Sequence, residues 1–213
     1  MKNKNGRVMH ALCYKETVMK KISILTLGCK VNQYESEALG AMFPKDKYEV
    51  FSEYKKNCDA YIINTCSVTN MSDRKSRQMI RKCIKNSNNP FIAVMGCYSH
   101  AKKNEAENIE GVNFVCGNEN KTQTVKKICD YFNESALIKI DNRTDGFDFP
   151  MLYNYNEKTR AIVKIQDGCD SFCSYCIIPY LRGRCLKIVA FARDVGRNFN
   201  AVGKTNSGDL TKR

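Results

Sequence analysis

The 213-residue chain is long enough to bury a sizeable core, and its 12 cysteines fall below the roughly 8–10 % that marks a small disulfide scaffold. With 43 % hydrophobic and 27 % charged residues, the composition excludes global disorder. The longest apolar runs, such as 91–97, are far shorter than the roughly 18 residues of a membrane span, and the polar N-terminus lacks a secretory signal. We therefore expect a cytoplasmic protein without membrane contact, whose reduced cysteines more often bind metals or react than form disulfides.

The formal net charge of +13 at first suggests a nucleic-acid binder. The charge is unevenly distributed, however. Residues 1–21 carry +5 and residues 182–213 carry +6, whereas the whole of 22–181 carries only +2. A zinc-stabilised nucleic-acid binder, which depends on this net charge, is therefore the weakest of the functions considered.

Short apolar runs alternate with segments of helical periodicity between residues 21 and 132. The runs typical of strands cover 22–27, 48–51, 60–64, 91–95 and 112–116. The first helix begins with Asn32 and Glu35 in the spacing of a capping box, and further helices are expected up to about residue 86 and at 101–109 and 121–132. This alternation predicts an α/β fold: an open, mostly parallel sheet with helices on both faces. A further strand is expected at 161–165.

Three cysteines, Cys169, Cys173 and Cys176, stand in C-x3-C-x2-C spacing on the loop after the strand at 161–165. A structural zinc site needs four ligands, and no fourth cysteine or histidine follows at the usual spacing. Three thiolates suit a four-iron cluster that keeps one iron free of protein ligands. The alternative is three buried cysteines without a ligand.

Three more cysteines are far apart in the sequence, but each follows a predicted strand: Cys29, Cys66 and Cys97. The carboxyl ends of parallel strands share one edge of a doubly wound sheet, where ligands bind. Each cysteine also precedes a helix start, whose partial positive charge favours the thiolate. A second three-cysteine cluster site is therefore as well supported as the alternative of small apolar core residues. Gly28 and Gly96 favour the site, since glycine lets the backbone approach a bulky ligand.

The other cysteines are expected to have structural roles or no partner. Free cysteine packs as a small hydrophobe, which fits the three on apolar helix stripes or in a strand: Cys83, Cys129 and Cys116. The sequence suggests no partner for Cys13, Cys58 and Cys185.

The helix after Cys66 carries a basic face, with Arg74, Arg77, Arg81 and Lys85 at helical spacing. Such a face could lie against phosphates. A solvated helix surface explains the same pattern equally well.

Four stretches resemble motifs of the radical S-adenosylmethionine methylthiotransferases. These are Gly-Cys-Lys-Val-Asn-Gln-Tyr-Glu at 28–35, Asn-Thr-Cys-Ser-Val-Thr at 64–69, Gly-Cys-Tyr at 96–98, and the segment 166–184, which contains the C-x3-C-x2-C loop, Ile-Ile-Pro-Tyr and Arg-Gly-Arg. The resemblance spans residues 19–184. The stretch at 30–35 is most similar to the branch that acts on threonylcarbamoyladenosine in tRNA.

This resemblance implies two 4Fe-4S clusters and S-adenosylmethionine as cofactors. It assigns an auxiliary cluster, involved in sulfur insertion, to Cys29, Cys66 and Cys97. It assigns the cluster that binds and cleaves S-adenosylmethionine to Cys169, Cys173 and Cys176. The implied reaction adds a methylthio group to an adenosine next to the anticodon, so the implied partners are the anticodon loop of tRNA and an electron donor. The oligomeric state is not implied, and because hydrogen is abstracted by a radical, no acid–base residue is expected.

The resemblance ends at Arg184, although the family continues with a barrel and a small RNA-binding domain. An α/β barrel needs roughly 200 residues, so we expect an incomplete barrel and no full turnover by this chain alone. The expected divisions are a non-native or disordered leader at 1–18, an N-terminal methylthiotransferase domain at 19–132, a linker at 133–158, the first strand and cluster loop of the radical domain at 159–184, and an atypical tail at 185–213.

Two other functions stay open. One is a non-catalytic iron–sulfur or electron-transfer module that uses the same cysteines without S-adenosylmethionine. The other is a methylthiotransferase that acts on isopentenyladenosine or on a ribosomal protein.

Overall fold

The computed structural model describes residues 19–133, 162, 164 and 166–187. The predicted leader, nearly all of the predicted linker and most of the tail lie outside these residues. Most of the strand expected at 161–165 lies outside them as well. Among the described residues, none of the helices combines the length and the apolar character that a membrane span requires.

Five parallel strands form one sheet: β1 Lys20–Thr26, β2 Tyr48–Phe51, β3 Ala60–Thr65, β4 Phe91–Gly96 and β5 Phe114–Val115. Their order in the sheet is β2-β1-β3-β4-β5. Strands β3 and β4 are buried along their whole length, as expected for a parallel sheet covered on both faces. The expected strand at 112–116 is shorter in the structure.

Five helices accompany this sheet: α1 Lys30–Ala41, α2 Asn70–Lys85, α3 Cys97–Ala101, α4 Lys103–Glu107 and α5 Thr122–Tyr131. One apolar cluster includes Leu39 of α1 and Ile128 of α5, and a second includes Ile80 of α2 and Ala106 of α4. Helices therefore cover both faces of the sheet, which confirms the predicted α/β fold class.

Two helix predictions need correction. The helix expected at 101–109 covers only Lys103–Glu107, and a separate short helix precedes it at Cys97–Ala101. Lys102 between the two has a non-helical backbone with φ −133° and ψ 53°. The capping box at the start of α1 is also wrong, since the N-cap residue is Cys29. Asn32 lies inside the helix, and its Nδ2 donates to the main-chain oxygens of Leu27 and Thr65, at 2.8 and 3.0 Å.

Residues 166–187 form a small unit. Its strand β6 (Gln166–Asp167) pairs antiparallel with β7 (Leu186–Lys187), and helix α6 (Ile178–Arg182) lies between them in the chain. The cysteine loop connects β6 to α6. The predicted start of an incomplete barrel in this region stays a prediction, because most of its expected first strand lies outside the described residues.

Candidate metal centre

The carboxyl ends of β1 and β3 form the switch point of the sheet. Strand β1 lies between β2 and β3. After β1 the chain first forms β2 on one side of it and then crosses to form β3 on the other side. Ligands of open α/β folds bind in the crevice at such a point. The N–H of Leu27, just after β1, donates to the oxygen of Asn64 at 2.8 Å, so the two strands end level.

Cys66 and Cys97 leave neighbouring strands side by side. Thr65 and Gly96, the residues directly before them, are register partners in the parallel pair β3–β4. Adjacent strands lie about 4.8 Å apart, so the two cysteines start close together. Both are buried, at 7 % and 3 % exposure.

Gly28 places Cys29 on the other side of Cys66. Gly28 has φ +101°, and a Cβ added to it would lie 2.6 Å from the Cβ and 2.7 Å from the Sγ of Cys66. No side chain fits that space, so this position requires glycine. Cys29 is exposed and begins α1. The structure thus brings the three dispersed cysteines to one edge of the sheet, with Cys66 in the middle.

Gly96 makes a similar close approach on the other side. Its φ is also +101°, and a Cβ there would lie 2.6 Å from the main-chain oxygen of Thr65 and 2.7 Å from Oδ1 of Asn64. That Oδ1 is buried and has no hydrogen-bond partner in the described part of the chain. Gly28 and Gly96 thus approach residues at the end of β3 closely. The predicted approach of their backbone to a bulky ligand stays a prediction.

The electrostatics of Cys97 combine opposing effects. Burial raises the pKa of its thiol, while Arg182, a hydrogen bond from Asn118 and Lys121 act in the opposite direction, and Cys66 raises it further. The sequence argument that a helix start favours the thiolate is thus incomplete for Cys97, because desolvation outweighs the favourable groups.

Amides contact the two outer thiols. Oδ1 of Asn32 lies 3.8 Å from Sγ of Cys29, and Nδ2 of Asn118 lies 3.6 Å from Sγ of Cys97. A donor such as the amide of Asn118 orients the sulfur ligand of a metal centre and tunes it, whereas Oδ1 of Asn32 accepts from the thiol of Cys29. A thiolate-only donor set is chemically typical of iron–sulfur or zinc sites.

Within the residues that the structure describes, no three or more His, Cys, Asp or Glu side chains are gathered as ligands of a single metal ion. A four-iron cluster binds its thiolates at different corners of a cube. Its ligands therefore stand further apart than those of one ion. Three cysteines at the ends of three adjacent strands, with glycine backbone beside them, fit that larger group.

The second set of cysteines lies on the loop between β6 and α6. Cys173 is exposed, and Cys169 and Cys176 are partly exposed. The N–H of Cys176 donates to the oxygen of Cys173 at 2.9 Å, and the N–H of Ser171 lies 3.5 Å from Sγ of Cys169. The hydrogen bond from Ser171 lowers the pKa of the Cys169 thiol. The loop is thus compact, with its sulfur atoms open to a ligand.

Aromatic side chains surround this loop and remain exposed: Tyr175 at 90 %, Tyr180 at 71 % and Phe172 at 47 %. The rings of Phe172 and Tyr180 meet edge to face at 5.9 Å between centroids. Exposed apolar groups in one place indicate an interaction surface.

A buried carboxylate, Glu35, joins the two cysteine-bearing parts of the chain. It lies in α1, pairs with Lys121, and accepts hydrogen bonds from Lys164 and Arg182, both at 2.9 Å. Burial alone would raise its pKa, but Lys121, Lys164 and Arg182 together hold it well below its usual range. Glu35 is therefore a carboxylate at neutral pH.

Sequence reasoning missed this ion network, since it read Glu35 as part of a helix cap. One signal was available. Asn32, Glu35 and Leu39 share one helix face, so two polar residues lie on the face that carries the apolar stripe. A charged residue at such a position needs a buried partner.

The structural cysteines agree with the prediction. Cys83, Cys129 and Cys116 are buried in the two apolar clusters. The prediction for Cys58 needs correction, because this cysteine has partners: it is buried in the same apolar cluster as Cys83, and its thiol donates to the main-chain oxygen of Lys55.

Residues 21–117 match the family described as "Uncharacterized protein family UPF0004". The threonylcarbamoyladenosine tRNA methylthiotransferase MtaB of Bacillus subtilis is 39 % identical over 171 residues, which cover 78 % of this chain and 37 % of that protein. The protein of the same name from Aquifex aeolicus is 32 % identical, over 77 % of this chain and 40 % of its own length. A tRNA-2-methylthio-N(6)-dimethylallyladenosine synthase from Fervidobacterium nodosum is 32 % identical, over 77 % of this chain and 37 % of its own. The chain thus spans about two fifths of the length of these curated relatives. The likeness extends over most of the chain and agrees with the motifs: residues 21–117 form a UPF0004 domain, and the chain is a homologue of the named tRNA methylthiotransferases over most of its own length.

Proposed function

We propose that this chain is the iron–sulfur part of a tRNA methylthiotransferase that acts on threonylcarbamoyladenosine. The observation that carries the proposal is the position of Cys66, in contact with Gly28 on one side and next to Cys97 on the other. The names of the relatives support the substrate, since several of them are called threonylcarbamoyladenosine tRNA methylthiotransferases. Others are named for dimethylallyladenosine, which is the competing substrate.

In this proposal Cys29, Cys66 and Cys97 hold an auxiliary four-iron cluster. Burial of Cys66 and Cys97 shields their side of the site from water, while the exposed Cys29 lies on the open side. Nδ2 of Asn118 donates to the sulfur of Cys97 and orients it as a thiolate ligand. The expected substrate approach is therefore from the side of Cys29.

Cys169, Cys173 and Cys176 hold a second four-iron cluster in the same proposal. Three ligands leave one iron for S-adenosylmethionine. When bound, the cluster on this loop would supply the electron that cleaves S-adenosylmethionine, and the auxiliary cluster would supply the site from which sulfur is transferred. The exposed aromatic rings of the loop supply apolar surface next to that cofactor or to a further part of the protein.

The basic face of α2 is a candidate contact for tRNA phosphates. Arg74, Arg81 and Lys85 are exposed along it. Arg77, the fourth basic residue predicted for this face, pairs with Glu105 at 3.0 Å and is partly buried. Three cations are thus directed to solvent, and each would contribute to the salt dependence of tRNA binding.

Anaerobic reconstitution with iron and sulfide tests the cofactor part of the proposal. We expect the electron paramagnetic resonance spectrum of the reduced chain to change when S-adenosylmethionine is added. Cys173→Ala should abolish the change, whereas Cys185→Ala, a cysteine outside the C-x3-C-x2-C motif, should leave it intact. A chain that binds iron but shows no response to S-adenosylmethionine is an electron-transfer module instead.

The substrate part is tested with two anticodon stem-loops, one with threonylcarbamoyladenosine and one with dimethylallyladenosine. Fluorescence anisotropy at fixed salt should show tighter binding of the first to the reconstituted chain. Tighter binding of the second would assign the chain to the other named branch.

A further inference from the structure

Five ionic side chains meet between the sheet domain and residues 162–187. Two come from the sheet domain, Glu35 and Lys121, and three come from the region around the cysteine loop, Lys164, Asp167 and Arg182. We propose that Glu35 is a positioning residue that fixes the loop at 169–176 relative to the edge with Cys66. The proposal rests on the proposed function, in which both places hold a cluster.

Glu35 uses both carboxylate oxygens. Its Oε1 accepts from Nζ of Lys164 and from Nη1 of Arg182, each at 2.9 Å. Its Oε2 pairs with Lys121 and lies 3.4 Å from Nη2 of Arg182. The side chains of Glu35 and its three partners are between 0 and 4 % exposed. Water therefore does not replace these contacts.

Asp167 attaches the same two cations to the cysteine loop. Its Oδ2 lies 2.6 Å from Nζ of Lys164, and its Oδ1 lies 3.0 Å from Nη1 of Arg182. Asp167 stands two residues before Cys169. Each of the two cations is thus shared between α1 and the strand that leads into the loop.

Asn32 and Asn118 give two further links, one to each side of Cys66. Nη2 of Arg182 donates to Oδ1 of Asn32 at 2.7 Å, and Nδ2 of Asn118 donates to the oxygen of Leu181 at 2.6 Å. These are the same two amides that contact Sγ of Cys29 and of Cys97. The last turn of α6 is therefore held at both outer cysteines of the edge.

An apolar contact supports the same arrangement. Ile162 packs against Tyr34 and Ala38, which lie on α1. Contacts from before and after the cysteine loop therefore reach the helix that Cys29 begins.

The chemistry of the network explains why it fixes a position. The planar fork of an arginine matches a carboxylate in few geometries. Separating these buried ions would leave charges without a partner inside the protein, which costs free energy. The network therefore disfavours any other position of the cysteine loop relative to the sheet domain. A transfer reaction between two bound groups requires such a fixed geometry, since small displacements reduce its rate strongly.

Hydrogen exchange of the chain without iron, read by mass spectrometry, tests the positioning independently of the clusters. Glu35→Gln should speed exchange of residues 166–187 by at least about tenfold, while β3 and β4 remain the better-protected segments although their protection falls with the global stability. Arg182→Lys, which keeps the charge but loses the fork, should have a smaller effect of the same kind. The matched control is Glu37→Gln, the same substitution two residues along α1. Unchanged exchange at 166–187 in both variants of the network overturns the proposal. If Glu35→Gln unfolds the sheet, Arg182→Lys decides the question.

The reconstituted chain gives the second readout, the magnetic interaction between the two reduced clusters. We expect the Glu35→Gln chain to bind as much iron and sulfide as the wild type. The magnetic interaction between its two clusters should be weaker, or should vary more from molecule to molecule. An unchanged interaction contradicts the positioning role. A wild-type chain that binds no iron contradicts the proposed function instead, and the exchange measurement then still decides the role of Glu35.

Discussion

Gly28 and Cys66 touch at the edge of the sheet: a Cβ on the glycine would lie 2.7 Å from the Sγ of the cysteine. These two residues are 38 positions apart in the sequence. Their contact explains why glycine precedes Cys29, since its absent side chain is the space that Cys66 occupies. It also ties the start of α1 to the end of β3.

Gly28→Ala should therefore destabilise the protein and impair the cysteine edge. The substitution combines a positive φ with a clash against Cys66, and strained backbone of this kind costs about 1–3 kcal/mol. We expect a lower urea midpoint and loss of iron from the auxiliary site after reconstitution.

Gly40→Ala is the matched control. Gly40 lies within α1, and a Cβ there would meet Ile24 and Val50 at 3.4 and 3.5 Å, which is ordinary contact. Alanine should leave stability unchanged or raise it by up to roughly 1 kcal/mol, because glycine is unfavourable inside a helix. A Gly28→Ala chain as stable and as rich in iron as this control would contradict the close approach.

Glu35→Gln should destabilise the chain at neutral pH by about 3–5 kcal/mol, since it leaves buried cations without their carboxylate. The penalty should shrink in acid. The pKa of Glu35 is lowered in the folded chain, because Lys121, Lys164 and Arg182 outweigh the effect of burial, which alone would raise it. Its stabilisation is thus complete above the ordinary pKa of 4.5 and is lost as the pH falls toward the lower folded value.

Urea unfolding of wild-type and Glu35→Gln chains between about pH 7 and pH 3 measures this effect. We expect the difference in the free energy of unfolding to be constant above about pH 5 and to narrow below it. A difference that stays constant down to pH 3, or that grows, would contradict a buried carboxylate at this position.

Much of the fold followed from local patterns. Strands of a parallel sheet are buried on both faces and read as continuous apolar runs, so Tyr48–Phe51 was found with its observed bounds and β3 and β4 within one residue. Because the ends of these apolar runs were predicted, the cysteines that follow them could be placed at the ends of the strands. The carboxyl edge of a parallel sheet follows from the alternation of strands and helices, without knowledge of the strand order.

The Glu35 network could not be found in this way. Its partners Lys121 and Arg182 lie 86 and 147 residues further along the chain, and no periodicity links such distant residues. The same tertiary partners explain the failed capping box, because the Glu35 carboxylate binds cations instead of a backbone N–H. The break at Lys102 was also missed, since the sequence there contains no proline or glycine.

The cysteines of the core should differ sharply from those near the surface in their reactivity. Cys83 is fully buried, and burial raises its pKa to about 12. Cys185 is partly exposed. At neutral pH we expect iodoacetamide to modify Cys185 long before Cys83 in the chain without iron, as read by peptide mass spectrometry. Equal labelling rates would contradict the packing around Cys83.

The central claim is that Cys29, Cys66 and Cys97 jointly hold a four-iron cluster. Iron and sulfide counting after anaerobic reconstitution of alanine variants tests it most directly. The wild-type chain should bind about eight iron atoms, and each single variant Cys29→Ala, Cys66→Ala or Cys97→Ala should retain about four, because the cluster on the 169–176 loop remains. Cys116→Ala, a buried cysteine just beyond the end of neighbouring β5, should match the wild type. An iron content unchanged by all three substitutions, or lowered equally by Cys116→Ala, would contradict the account.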